Sequence, residues 1–218
     1  MGSIRRFDLS KIIADYDTLG FFETGTFWGD GVDYALGSSF QQLVSVEVVP
    51  EIAEKARARF AGITKVEIIE DSSEKALADR AASIRHNCVF WLDAHYPGAD
   101  AGMNAYDKDM DESMRLPLAR EIETIYRLRK AYHDVIIIDD LRIYEDGPFA
   151  NGNVPADALP GNDRNIDFVF KHFRWSHVII RSYLDEGYIL LFPRWKYYKQ
   201  LLSNFSDRSK RGWRGYIK

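Results

Sequence analysis

Short apolar runs alternate with amphipathic stretches along almost the whole chain. "LGFFET" (19–24), "QLVSVEVV" (42–49), "KVEIIED" (65–71), "CVFWLDA" (88–94) and "DVIIIDD" (134–140) read as five strands. Most are near-continuously apolar, as strands covered on both faces are. Helical patterns follow them. "DGVDYAL" (30–36) starts a helix out of a glycine turn, and "PEIAEKARARF" (50–60) has Pro50 at its first helical position. "SSEKALADRAASI" (72–84) offers Ser72 or Ser73 as a cap, and "PLAREIETIYRLRKAY" (117–132) is apolar at 118, 122, 125 and 128. "NIDFVFKHF" (165–173) is a further helix. "HVIIRSYL" (177–184) and "GYILLFPR" (187–194) flank Asp-Glu-Gly, which predicts a turn between antiparallel strands.

Five β-then-α units and a hairpin define an α/β fold: one doubly wound, mostly parallel, seven-stranded, Rossmann-like sheet with a C-terminal antiparallel hairpin. A single domain over 1–218 is expected, with lid-like loops at 95–116 and 141–165, since loops of that length often cover a ligand. Ligands of such sheets bind beyond the carboxyl ends of the strands, near the switch in strand order. The ends here are Glu23 to Gly29, Glu47, Asp71, Asp93 to His95, and Asp139 with Asp140, so every one carries a carboxylate.

Bulk properties narrow the partners. A net charge of −4 gives no global sign of nucleic acid, and no apolar run approaches a membrane span. The first residues have no secretory pattern, and the lone Cys88 excludes an internal disulfide, so a reducing, cytoplasmic setting is expected. Homo-oligomerisation stays open. The basic, aromatic tail from Arg194 reads as a surface helix with a frayed end.

The stretch "FFETGTFWGDG" (21–31) matches neither a dinucleotide fingerprint nor a phosphate loop. Its glycines are Gly25, Gly29 and Gly31, Phe27 and Trp28 are bulky, and Glu23 would repel a diphosphate. A ligand with a cationic part and no phosphate resolves the conflict, and S-adenosylmethionine is one. Glu47, about 20 residues past the turn, suits both ribose hydroxyls, and Asp71 with Ser72 ends the third strand where adenine would lie. Glu23, Thr24, Gly25, Gly29, Glu47, Asp71, Ser72 and Asp93 are therefore the candidate cofactor residues. Asp93, Asp139 and Asp140 crowd the ends of strands expected to be neighbours. Such carboxylates repel unless protonated or bridged by a cation, and an all-oxygen set suits Mg²⁺, Mn²⁺ or Ca²⁺.

With these residues in view the chain resembles the class I S-adenosylmethionine-dependent methyltransferases. "ETGTFWGDG", "WLDAH" and "IIIDD" resemble the macrocin O-methyltransferase type, with Asp30 in place of a glycine and Asp-Ala-His in place of Asp-Gly-Asp. The resemblance implies methyl transfer to a hydroxyl of a small acceptor such as a sugar, a divalent metal on Asp93, Asp139 and Asp140, and a general base at His95. Metal ligation and a backbone-bonded loop histidine are the alternatives for His95. Two other functions stay open: a non-catalytic binding module with this fold, and a metal-independent N-methyl or aminopropyl transferase.

Overall fold

The computed structural model describes residues 3–95, 116–154, 164–203 and 212–218. Its strands are β1 (Thr18–Thr24), β2 (Gln42–Glu47), β3 (Val66–Glu70), β4 (Asn87–Leu92), β5 (Val135–Ile138), β6 (His177–Ser182) and β7 (Tyr188–Pro193). They form one sheet in the order β3-β2-β1-β4-β5-β7-β6. The first five are parallel, and β7 runs antiparallel between β5 and β6. This is the doubly wound, Rossmann-like sheet with a terminal hairpin that the pattern predicts.

The helices among the described residues are α1 (Leu9–Tyr16), α2 (Asp30–Leu36), α3 (Pro50–Arg59), α4 (Ser73–Arg80), α5 (Leu118–Leu128), α6 (Asp167–Phe173) and α7 (Arg194–Ser203). Alternate strand residues face opposite ways, and the core divides accordingly. Phe22, Phe90 and Ile136 join Leu77, Ile122 and Val169 under α4, α5 and α6. Phe21, Trp91 and Ile137 join Ile12, Val32 and Tyr197 under α1, α2 and α7. The pattern does not announce α1. It begins where the Asp8 carboxylate accepts from the Lys11 amide at 3.0 Å, an N-cap. The tail is firmer than a frayed end: Tyr216 is buried, stacks on Phe192 and donates to Asp15 at 2.9 Å.

Register positions the site. Thr24 pairs with Val46 and with Leu92, and Leu92 pairs with Ile138. The next residue of each strand therefore falls on one level: Gly25, Glu47, Asp93 and Asp139. The ladder runs one bond further, with Asp93 N donating to Thr24 O, Asp139 N to Leu92 O and Asp71 N to Glu47 O. Strand order reverses between β1 and β4, where such folds take their ligands.

Arg129 and Asp134 fix the opposite end of β4. Both are 3% exposed. The guanidinium donates twice to Asp134, at 2.9 and 2.8 Å, and also to the carbonyls of Ala81, Ile84 and His86. Asp134 accepts in addition from the Cys88 amide at 2.7 Å.

No described helix is long and apolar enough to cross a membrane. The expected lid 95–116 lies outside the described residues apart from His95 and Leu116. Of the loop 141–165, residues 155–163 also lie outside. Its described part is tied down. Arg164 donates to the carbonyls of Arg142 and Ile143, Phe149 is buried against Tyr183, and Asn151 donates to Glu186.

Candidate functional site

The first turn is built on two left-handed glycines. Gly25 has φ +83°, and a Cβ there would stand 2.5 Å from the Asp93 carbonyl oxygen. The backbone on both sides of the switch point thus approaches as closely as only glycine permits. Gly29, at φ +82°, packs against the Phe60 ring and opens α2. Phe27 also lies in the left-handed region, at φ +48°, and its amide donates to Glu47 Oε2 at 2.9 Å. Glu47 Oε1 accepts from Val49 N at 2.9 Å. Glu47 therefore shapes the turn and ends β2 two residues before the apolar run does. Trp28 is exposed, with the Lys55 ammonium over its ring.

Glu23 is beneath this turn rather than on its open side. It is 2% exposed and accepts from Ser45 Oγ at 2.6 Å, and Ser45 in turn bonds Thr26 Oγ1 at 2.7 Å. Gly31 leaves the room, since a Cβ there would meet Glu23 Oε1 at 1.8 Å. Burial pushes the carboxyl from an ordinary 4.5 up to about 8; Ser45 opposes the shift, and Asp93, Glu47 and Asp30 add to it. Glu23 thus contributes shape and a hydrogen bond more than the negative charge that its sequence position suggests.

A stability effect follows with a definite sign. The folded-state value lies above the unfolded one, so the folded chain binds more protons between pH 4.5 and about 8. Stability from this group is full below that window and is lost as pH rises through it. We expect the urea midpoint to fall between about pH 5 and about pH 8.5. Glu23→Gln, which keeps the shape without the charge, should flatten that slope; a profile parallel to wild type would count against the shift.

On the next strand end, Asp71 Oδ1 accepts from Ser72 N at 2.8 Å, and Asp71 pairs with Lys75, which holds it below the usual carboxylate range. Ser72 caps α4 by accepting from Lys75 N at 3.4 Å.

The acidic group sits across the switch point. Strand β5 ends at Ile138 and Asp140 turns into the left-handed region at φ +54°, so Asp139 and Asp140 both lie past the pleat. Asp139 is 4% exposed, and its Oδ1 accepts from Asp140 N at 2.9 Å. Burial, then repulsion from Asp93 and Asp140, raises it well above the usual range. His95 stands among them, Nε2 at 2.5 Å from Asp140 Oδ2 and Nδ1 at 3.5 Å from Asp93 Oδ1. Burial would lower this imidazole, but Asp140 first, then Asp93 and Asp139, outweigh it and lift it to about 10. Burial would likewise raise Asp140, yet His95 and Arg142 hold it below the usual range. Arg142 Nε reaches Asp140 Oδ1 at 3.2 Å.

Sequence reasoning missed Arg142 and Glu121. Glu121, on α5, is 1% exposed and lies against the hydroxyls of Ser73 and Thr24. Its signal was a carboxylate three residues after Leu118, on the apolar stripe of the helix.

No protein-family model matches the chain, and no curated protein matches it. Solved structures do. The S-adenosylhomocysteine-bound methyltransferase PaMTH1 of Podospora anserina superposes with a TM-score of 0.53 at 14% identity, covering 85% of this chain and 76% of its own. TomG, an O-methyltransferase of Streptomyces achromogenes solved with S-adenosylmethionine, gives 0.52 at 16%, covering 88% and 81%. An O-methyltransferase of Bacillus cereus solved with S-adenosylhomocysteine gives 0.51 at 13%, covering 88% and 82%. The chain has the Rossmann-like fold of these structures.

Proposed function

We propose that the protein is an S-adenosylmethionine-dependent O-methyltransferase acting on a hydroxyl of a small acceptor, a sugar-containing metabolite in the reading closest to its motifs. One observation carries the proposal. Register brings Gly25, Glu47, Asp93 and Asp139 level at the switch point, and an imidazole is held there between two of the carboxylates. The turn from Thr24 to Gly29, with Glu47, Asp71 and Ser72, forms the cofactor shelf. Asp93 borders both cofactor and acceptor. His95, which its carboxylate neighbours keep protonated here, takes the proton from the acceptor hydroxyl as the oxygen attacks the methyl group once Asp93 and Asp140 have turned away and its imidazole is neutral.

Asp93, Asp139 and Asp140 supply the oxygen donors that Mg²⁺, Mn²⁺ or Ca²⁺ prefers, and the repulsion that raises Asp139 is what a cation relieves. Among the described residues no three His, Cys, Asp or Glu side chains form a group ready to hold a metal. The donor set fits by its chemistry, and filling it requires Asp93 and Asp140 to turn from His95. A bound divalent ion would lower the pKa of an acceptor hydroxyl and orient it.

Calorimetric titration with S-adenosylmethionine, once with Mg²⁺ and once with EDTA, tests the reading. We expect saturable binding in both, and methyl transfer to hydroxylated acceptors only with Mg²⁺. Absence of binding in both overturns the cofactor assignment and favours a binding module. Transfer undiminished by EDTA removes the metal and favours a metal-independent transferase.

A further inference from the structure

We propose that Glu121 reads the nucleobase of the bound cofactor by accepting a hydrogen bond from the exocyclic amine of adenine. The proposal rests on the S-adenosylmethionine reading and adds to it a residue that lies on none of the strand ends.

Glu121 Oε1 is buried and has no hydrogen-bond partner among the described residues. Buried carboxyl oxygens are seldom left so, because nothing repays their lost hydration. The carboxyl of Glu121 lies where α5 meets the start of α4 and the end of β1. Its neighbours are Thr24, one residue before Gly25, and Ser73, one residue past the cap of α4. Asp93 and His95 act on it electrostatically from the end of β4. Glu121 is therefore at the floor of the shelf, among the ends of β1, β3 and β4.

The other polar groups there are committed. Glu47 bonds two turn amides, Asp71 bonds Ser72 N and Lys75, and Glu23 is under α2. In the cofactor reading Glu47 lies on the ribose side and α4 on the base side. A carboxyl oxygen lacking a donor, on the base side, matches the donor that adenine presents at its 6-amino group. Ser73 and Thr24 hold the carboxyl in place and leave Oε1 for the ligand. The same arrangement gives no use for a base that lacks the amine.

Titration calorimetry with S-adenosylhomocysteine and with its analogue bearing hydrogen in place of the 6-amino group tests this. Wild type should bind the adenine compound about 10-fold more tightly. Glu121→Gln retains an acceptor oxygen and should keep that preference within about threefold. Glu121→Met retains the volume without the acceptor and should bind both compounds equally. A preference in Glu121→Met equal to that of wild type, or no preference in wild type, overturns the proposal and leaves the cofactor site standing. Failure of wild type to bind either compound removes the cofactor reading along with it. Should Glu121→Met not fold, Glu121→Asp decides: it draws the carboxyl back by one methylene, and an unchanged preference overturns the proposal. A purely structural Glu121 would alter thermal stability in these variants without moving the ratio of the two affinities.

Discussion

Replacing His95 by alanine should lower methyl transfer by about 10²- to 10⁴-fold while S-adenosylmethionine still binds within about threefold of wild type. His95 is held between Asp93 and Asp140, on the acceptor side of the shelf in the proposed reading. The turn amides are held by other groups: Gly25 and Thr26 bond Val46 O, and Phe27 bonds Glu47. Removing the imidazole thus takes away the proposed base without taking down the cofactor turn. Single-turnover assays alongside calorimetry separate the two quantities. Transfer within a fewfold of wild type would show that His95 only bonds its neighbours, and loss of cofactor binding would make it part of the shelf.

The second large effect is on stability. Arg129→Met should cost about 3–5 kcal/mol in urea unfolding, since removing one partner leaves Asp134 buried and uncompensated. It also strips the carbonyls of Ala81, Ile84 and His86 of a donor, at the connection that leads from α4 into β4. The double variant Arg129→Met, Asp134→Leu should recover much of the loss, because apolar groups of similar volume often match a buried pair. A cost below about 1 kcal/mol for the single change would mean that the pair is solvated in the native state.

The fold was legible because periodicity reports burial. Continuous apolar runs such as "CVFWL" mark strands covered on both faces, and the Asp-Glu-Gly break marks the hairpin; both are as expected. Boundaries shifted where a side chain intervened. The run to Val49 stops at Glu47 because that carboxylate turns back onto the amides of Phe27 and Val49. Helix α1 was missed because its start depends on a single cap, Asp8.

The positions of the site residues were legible for the same reason, since strand ends in a level register must meet. Their states were not. Sequence marks Glu23 as a charge at the mouth of a turn, whereas Gly31 lets it lie under α2, where burial favours its neutral form. Nothing in a linear pattern distinguishes these two. Likewise the place of Glu121 on the apolar stripe of its helix marks it as inward, and only packing shows what it meets there, the hydroxyls of Ser73 and Thr24.

The Glu23–Gly31 contact also bears on how such a sequence can drift. Any side chain at 31 collides with Glu23, and a small residue at 23 leaves a hollow beneath the turn. Each change alone is penalised, whereas a shorter residue at 23 together with alanine at 31 refills the same space. The two positions are epistatic, and a lineage crosses between solutions only by a paired exchange or through a weakened intermediate. A library that varies them one at a time will record losses for any side chain at 31 and for smaller residues at 23; varied together, part of those losses should be recovered.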